Sequence, residues 1–155
     1  MNSDRYDRKF TVALDAMGGD QAPVEQVKGA VLAAKEHGIR VLLVGKPSLI
    51  ESELAGVDYE NLPLEIIPAE EIIREGESPT KSLRLKPNSS ISVATGLVNE
   101  GLADAAVTMG STGAAMASSV LAFGLFPGLQ RPAIGGSFLN LAPKITIMDL
   151  GAQID

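Results

Sequence analysis

Three short apolar runs in this sequence each break into a turn that carries glycine. Phe10-Thr11-Val12-Ala13-Leu14 runs into Asp15-Ala16-Met17-Gly18-Gly19-Asp20, and Ala105-Ala106-Val107-Thr108 into Met109-Gly110-Ser111-Thr112-Gly113-Ala114. Ile145-Thr146-Ile147-Met148 runs into Asp149-Leu150-Gly151-Ala152-Gln153-Ile154-Asp155. An apolar run without polar alternation is a strand covered on both faces, and such strands belong to parallel sheets flanked by helices. The sequence between them fits. Val24, Val27, Val31 and Ala34 recur at intervals of three and four, one helical face that starts near Pro23 and closes at His37-Gly38.

Val41 to Val44 and Leu64 to Ile67 read as further strands, with a short helix from Pro47 to Ala55 between them. Residues 69–87 have weak periodicity and form a long excursion with one or two helical turns. A helix from Ser89 to Glu100 turns Ile91, Ala94, Leu97 and Val98 inward, and a helix after Gly113 carries Met116, Val120 and Phe123 on one face. Strands alternating with helices predict right-handed crossovers and an α/β fold with a mostly parallel sheet. The sequence stops at Asp155, straight after a turn that ordinarily introduces a helix, so the sheet is expected to be cut short.

Composition removes whole classes of function. No cysteine is present, which excludes disulfides, thiolate catalysis and Cys-ligated metal sites, and the single histidine, His37, excludes multi-histidine sites. Acidic residues (19) outnumber basic ones (13) for a net charge of −6, against the broad basic face that nucleic-acid binding needs. Residues 1–9 are polar and read as a flexible N-terminus. No apolar stretch reaches the ~20 residues of a spanning helix. A soluble, cytoplasmic protein is expected.

Ligands of open parallel sheets bind outside the carboxyl ends of the strands, where these turns gather. The turn at 110–113 is the most suggestive: two glycines bracket Ser111 and Thr112 at a helix start, where free N–H groups and the helix dipole attract an anion. Caps of this composition also form with no ligand, because Ser and Thr satisfy the orphan N–H groups themselves. The turn matches neither Walker A nor G-x-G-x-x-G. Asp15 and Asp149 end apolar strands, and each is either a metal ligand or general base, or else an acceptor for its own glycine turn or the partner of a nearby cation. Asp20 is placed to cap the helix near Pro23. Arg74, Lys81, Arg84 and Lys86 form the one concentrated positive stretch, either a wet surface or a receiver for phosphate or an acidic partner. Arg84 is the better phosphate ligand because of its bidentate fork. His37 reads as a helix terminator, at the wrong end of its helix for the glycine turns.

Together, V-A-L-D-A-M-G-G-D at 12–20 with Ala22-Pro23, Arg84-x-Lys86 before Asn88-Ser89-Ser90, Gly110-Ser111-Thr112-Gly113-Ala114, Arg131-Pro132-Ala133 and the final D-L-G-A-Q-x-D resemble the PlsX-type phosphate acyltransferases of bacterial phospholipid synthesis. The resemblance runs from residue 10 to 155 and corresponds to the N-terminal half of that family. It implies a three-layer α/β/α fold like that of isocitrate and isopropylmalate dehydrogenases. It also implies transfer of a fatty acyl group from acyl carrier protein to inorganic phosphate, giving an acyl phosphate; no cofactor is expected and no residue is assigned to a metal. Gly18, Gly19, Asp20, Arg84, Gly110, Ser111, Thr112 and Gly113 would bind phosphate and thioester, supported by Asp15, Asp149 and Gly151. Arg74, Lys81 and Lys86 would meet the carrier protein. A homodimer and a peripheral membrane link belong to the same implication.

The sequence departs from the family at Ser111 and Gln153, where Asn is common. The resemblance names no catalytic residue, and half of the family's length alone is expected to show little activity. Two rivals stand beside it: a phosphotransacetylase-like enzyme using coenzyme A thioesters, and a non-catalytic phosphate- or acyl-binding module.

Overall fold

The computed structural model describes residues 10–137 and 146–148. The expected flexible segment 1–9 lies outside them, as do Asp149, Gly151 and the rest of the third glycine turn. The chain runs β1 (Thr11–Asp15), α1 (Val24–His37), β2 (Arg40–Gly45), α2 (Pro47–Leu54), β3 (Leu64–Pro68), α3 (Pro79–Leu85), α4 (Ser90–Asn99), β4 (Ala105–Val107), α5 (Thr112–Phe123), β5 (Gly135–Ser137) and β6 (Thr146–Met148).

Four strands form one parallel sheet in the order β3-β2-β1-β4. Val12 pairs with Val41 on one side and with Ala105 on the other. The chain therefore steps outward from β1 to β2 to β3, then returns through α4 to the far side of β1. That reversal makes the crevice beyond the ends of β1 and β4 the switch point, where ligands of such sheets bind.

Side-chain alternation in the strands divides the core. Val41 and Leu43 pack with Val27, Val31, Ile50 and Leu54 of the α1/α2 layer, while Leu42 and Val44 pack with Ala94 beneath α4. Leu43 and Ile50 are wholly buried, and each such side chain contributes roughly 1.5–3 kcal/mol over an exposed one. The three layers are thus α1 and α2, the sheet, and α4 with α5 and α3 packed outside it.

Two expectations are corrected. The buried face of α5 is Ala114 and Ser118, with Ala117 against Ile73, Leu83 and Ile91, whereas Phe123 is half exposed. The helix lies on α3 and α4 rather than on the sheet, and small side chains let it approach closely. The last strand, β6, does not extend the parallel sheet: it pairs antiparallel with β5, and Gly-Gly-Ser carried no strand signal of its own. Among the described residues, no helix is long and apolar enough to cross a membrane.

Candidate functional site at the ends of β1 and β4

Asp15 ends β1 with its carboxylate buried. One oxygen, Oδ1, accepts the N–H of Met17 at 3.1 Å, bending the chain into the first glycine turn. The other, Oδ2, accepts the hydroxyl of Thr108 at 2.7 Å, and that hydroxyl oxygen accepts the N–H of Gly110 at 3.0 Å. A single buried carboxylate therefore ties both turns together.

The two turns touch through their backbones. A Cβ built on Gly18 would stand 2.5 Å from Asp15 Oδ2, 2.7 Å from Thr108 Oγ1 and 2.9 Å from the Gly110 nitrogen. Any side chain there would force the turns apart. Gly19 adopts φ +106°, a conformation that favours glycine. On the opposite side, Gln26 of α1 donates its amide N–H to the Gly18 carbonyl at 2.6 Å.

Ser111 caps α5, its hydroxyl accepting the Ala114 N–H at 3.4 Å and its carbonyl the Ala115 N–H at 3.0 Å. The capping role that Ser and Thr play without a ligand is thus present. It leaves the N–H groups of Thr112 and Gly113 without an intrahelical acceptor. A cavity of about 480 Å³ opens here, lined by Gly19 and Asp20 from the first turn, Gly110 and Ser111 from the second, and Arg74 and Glu75 from the excursion. An apolar groove of about 610 Å³ adjoins it, sharing Gly19, Asp20 and Met109.

The basic residues are placed differently from expectation. Arg74, expected to meet a protein partner, lines the cavity beside the glycine turns. Arg84, expected to bind phosphate, lines a separate hollow with Ser78, Thr80, Lys81 and Leu85 on the outer side of α3. Lys86 is not an open landing point: its ammonium donates to both oxygens of Glu77 at 2.7 Å and to the Ile72 carbonyl at 2.8 Å. The Lys86 ammonium, the Arg74 N–H and the Ser82 hydroxyl hold the Glu77 carboxyl down at about 2. Ser89 and Ser90 are buried and serve the joint between the excursion and α4.

Asp20 does not cap α1, whose first turn has no side-chain cap. Its exposed carboxylate stands on the cavity rim instead. His37 ends α1, about 20 Å along a 14-residue helix from the turn that precedes it. Thr108 is the residue that sequence reasoning missed, since a threonine at a strand end carries no functional signal until its two partners are seen. Among the described residues, no group of three or more acidic or histidine side chains could hold a metal ion.

Residues 10–155 match the model of a family described as "Fatty acid synthesis protein". The chain belongs to that family. Its relatives include proteins named phosphate acyltransferase: one from Trichodesmium erythraeum is 45% identical over 93% of this chain and 43% of the relative. One from Nostoc sp. is 48% identical over 93% of this chain and 42% of the relative, and one from Gloeobacter violaceus is 43% identical over 97% and 44%. The chain thus spans less than half the length of these members of the fatty acid synthesis family.

Proposed function

We propose that this site is the phosphate-holding part of an acyltransferase that moves a fatty acyl group from acyl carrier protein to inorganic phosphate. The observation that carries the reading is the contact of the 18–20 and 110–113 turns, which puts a helix N-terminus and Arg74 on one cavity. N–H groups at a helix start and a guanidinium are the donors a phosphate requires. The relatives' name supports the same chemistry.

Phosphate is itself the nucleophile, so no side chain need form a covalent bond. A phosphate oxygen attacks the thioester carbonyl, and the carbonyl π electrons move onto oxygen to give a tetrahedral oxyanion. Collapse breaks the C–S bond, releasing acyl phosphate and a thiolate that takes a proton from water. The protein's share is positioning and charge stabilisation. Asp20 on the rim accepts the remaining P–O–H hydrogen and turns a deprotonated oxygen toward the carbonyl. The adjoining apolar groove is wide enough to take acyl methylenes. Lys81 and Arg84, on the outer face of α3, offer the acidic carrier protein a basic footing.

A homodimer, a cytoplasmic setting and a peripheral membrane link complete the reading, the last resting on the part of the family's length that this chain does not span. For the same reason we expect little turnover from these 155 residues alone. The test is release of free thiol from acyl carrier protein thioesters and from acyl-coenzyme A, with and without phosphate. It is run on this chain and on the chain completed with the remaining part of the Trichodesmium relative. Phosphate-dependent release from the carrier thioester supports the reading, and preference for coenzyme A moves the assignment to the short-acid transferases. Release indifferent to phosphate removes both.

A further inference from the structure

We infer that the apolar groove beside α1 measures acyl chains: it takes the chain of an uncharged fatty acyl thioester, carbonyl end at the glycine turns, and Gly29 and Ala33 set how many carbons fit. The inference rests on the fatty acyl part of the reading above and deepens it by naming the residues that read chain length.

The groove, of about 610 Å³, has a floor of Val12 and Leu14 from β1 with Val107 from β4, and a wall of Gly29 and Ala33 from α1. The parallel strands all point to the glycine turns, and α1 runs back from them, so the two ends differ. Asp20, Glu25 and Gln26 stand at the turn end, and Ile39 and Val41 at the other. Gln26 donates to the Gly18 carbonyl at 2.6 Å, while its buried Oε1 has no hydrogen-bond partner among the described residues. The ligand that matches this gradient is an amphiphile with its head at the turns, where the groove meets the cavity through Gly19, Asp20 and Met109. The charged residues of its lining, Asp20 and Glu25, are both acidic, Glu25 also holding Lys28 at 2.9 Å. An uncharged thioester head therefore fits, and a carboxylate head is repelled. A tail of fatty-acid type agrees with the description of the chain's family.

Length follows from the helix. Glu25, Gly29 and Ala33 recur every fourth residue and so lie one above the next on a single face of α1. At 1.5 Å per residue, Gly29 stands about 6 Å and Ala33 about 12 Å beyond Glu25. An extended chain advances a little less than one C–C bond of ~1.5 Å per carbon, so the groove spans about nine or ten carbons. A Cβ built on Gly29 would meet no atom from elsewhere in the fold within 4 Å. The middle of the groove is thus open because residue 29 has no side chain, and Ala33 narrows the far end by one methyl only.

The experiment titrates S-acyl-N-acetylcysteamine thioesters, from butanoyl to tetradecanoyl, into this chain and its Gly29→Leu and Ala33→Leu variants by calorimetry. In the parent, affinity should rise about two- to fourfold with each methylene buried and level off at about ten carbons. Decanoate should bind more weakly than the decanoyl thioester. These measurements need no variant and so survive a failure of either to fold. Gly29→Leu should keep butanoyl binding and lose the gain beyond about five carbons, while Ala33→Leu should level off between the two. Urea unfolding confirms that the variants are folded. Absence of thioester binding by the parent overturns the proposal, as does affinity that climbs without levelling or levels at one length in all three proteins. Decanoate binding as tightly as the thioester overturns the placement of the head. Self-association of the parent that Gly29→Leu abolishes, with thioester binding unchanged, makes the groove an interface between copies and overturns it too. Failure of the transferase reading shows separately, as thiol release indifferent to phosphate in the completed enzyme, and leaves the chain-length limit standing.

Discussion

Gly18 and Gly110 meet backbone to backbone: a Cβ built on Gly110 would stand 3.2 Å from the Gly18 Cα. The first residue follows β1 and the second follows β4, neighbouring strands whose connections run in opposite directions across the sheet. Two corners nearly a hundred residues apart in sequence become one surface because the sheet reverses between them. The cavity, the start of α5 and the Asp15–Thr108 bond all depend on that approach.

Gly18→Ala is expected to separate the corners. The new methyl falls within 2.5–2.9 Å of Asp15 Oδ2, Thr108 Oγ1 and the Gly110 nitrogen, none of them the loose end of a flexible side chain. Overpacking of this kind costs roughly 1–3 kcal/mol, and phosphate binding should fall below detection. Gly29→Ala, inside α1 with open space around its Cβ position, should instead gain about 0.5–1 kcal/mol. Urea unfolding of both variants checks the contrast, and equal effects would remove the claim that the corners meet.

Arg74 and Arg84 should separate kinetically. Arg74→Ala, at the cavity, is expected to raise KM for phosphate about tenfold, the usual scale for a lost charged hydrogen bond. Arg84→Ala, on the outer hollow with Lys81, should raise KM for the carrier thioester instead. Steady-state kinetics on the completed enzyme decides; a phosphate effect confined to Arg84 would reverse the placement of the two arginines.

Much of this was legible in the sequence, for a definite reason. β1, β2 and β3 are runs bounded by polar or turn residues, and α1 repeats its apolar residues at one helical period, so local chemistry alone marked them. Asp15 was readable too: a carboxylate at a strand end before two glycines has its own turn to bond. Residues 69–89 were opaque because their path is tertiary. Glu71 pairs with Ser89 and accepts the Asn88 N–H, and Lys86 reaches back to Glu77, so the placement of Arg74 follows from contacts that no periodicity announces. α5 misled for the opposite reason, being apolar or small on every side, so its burial was set by whichever helices approached.

Acid should loosen the excursion that carries Arg74. Glu77 has its carboxyl lowered from 4.5 to about 2, chiefly by the Lys86 ammonium, then by the Arg74 N–H and the Ser82 hydroxyl. A carboxyl depressed by folding stabilises the fold fully above its ordinary range, and that contribution is lost as pH falls through the folded value. Stability should therefore decline between about 4.5 and 2, and Glu77→Gln should flatten that part of the profile while lowering stability at neutral pH. Thermal unfolding across this range tests it; a variant with the parent's slope would rule the pair out as its source.

The seam between α4 and α5 sets where the start of α5 lies, and its polar link should behave as a coupled pair. Thr95 Oγ1 and Ser118 Oγ are 2.7 Å apart in a buried contact, and both also reach the Ile91 carbonyl, at 3.0 and 3.5 Å. Thr95→Val preserves shape but leaves Ser118 with only the long contact, and should cost roughly 1–3 kcal/mol. Adding Ser118→Ala removes the stranded hydroxyl, so the double variant should be more stable than the sum of the single losses predicts. A double-mutant cycle by chemical denaturation measures the coupling, which for residues in contact is about 0.5–3 kcal/mol. Strict additivity would mean that the two hydroxyls do not hold the helices together, and that the apolar packing of Ile91 against Ala114 positions α5 unaided.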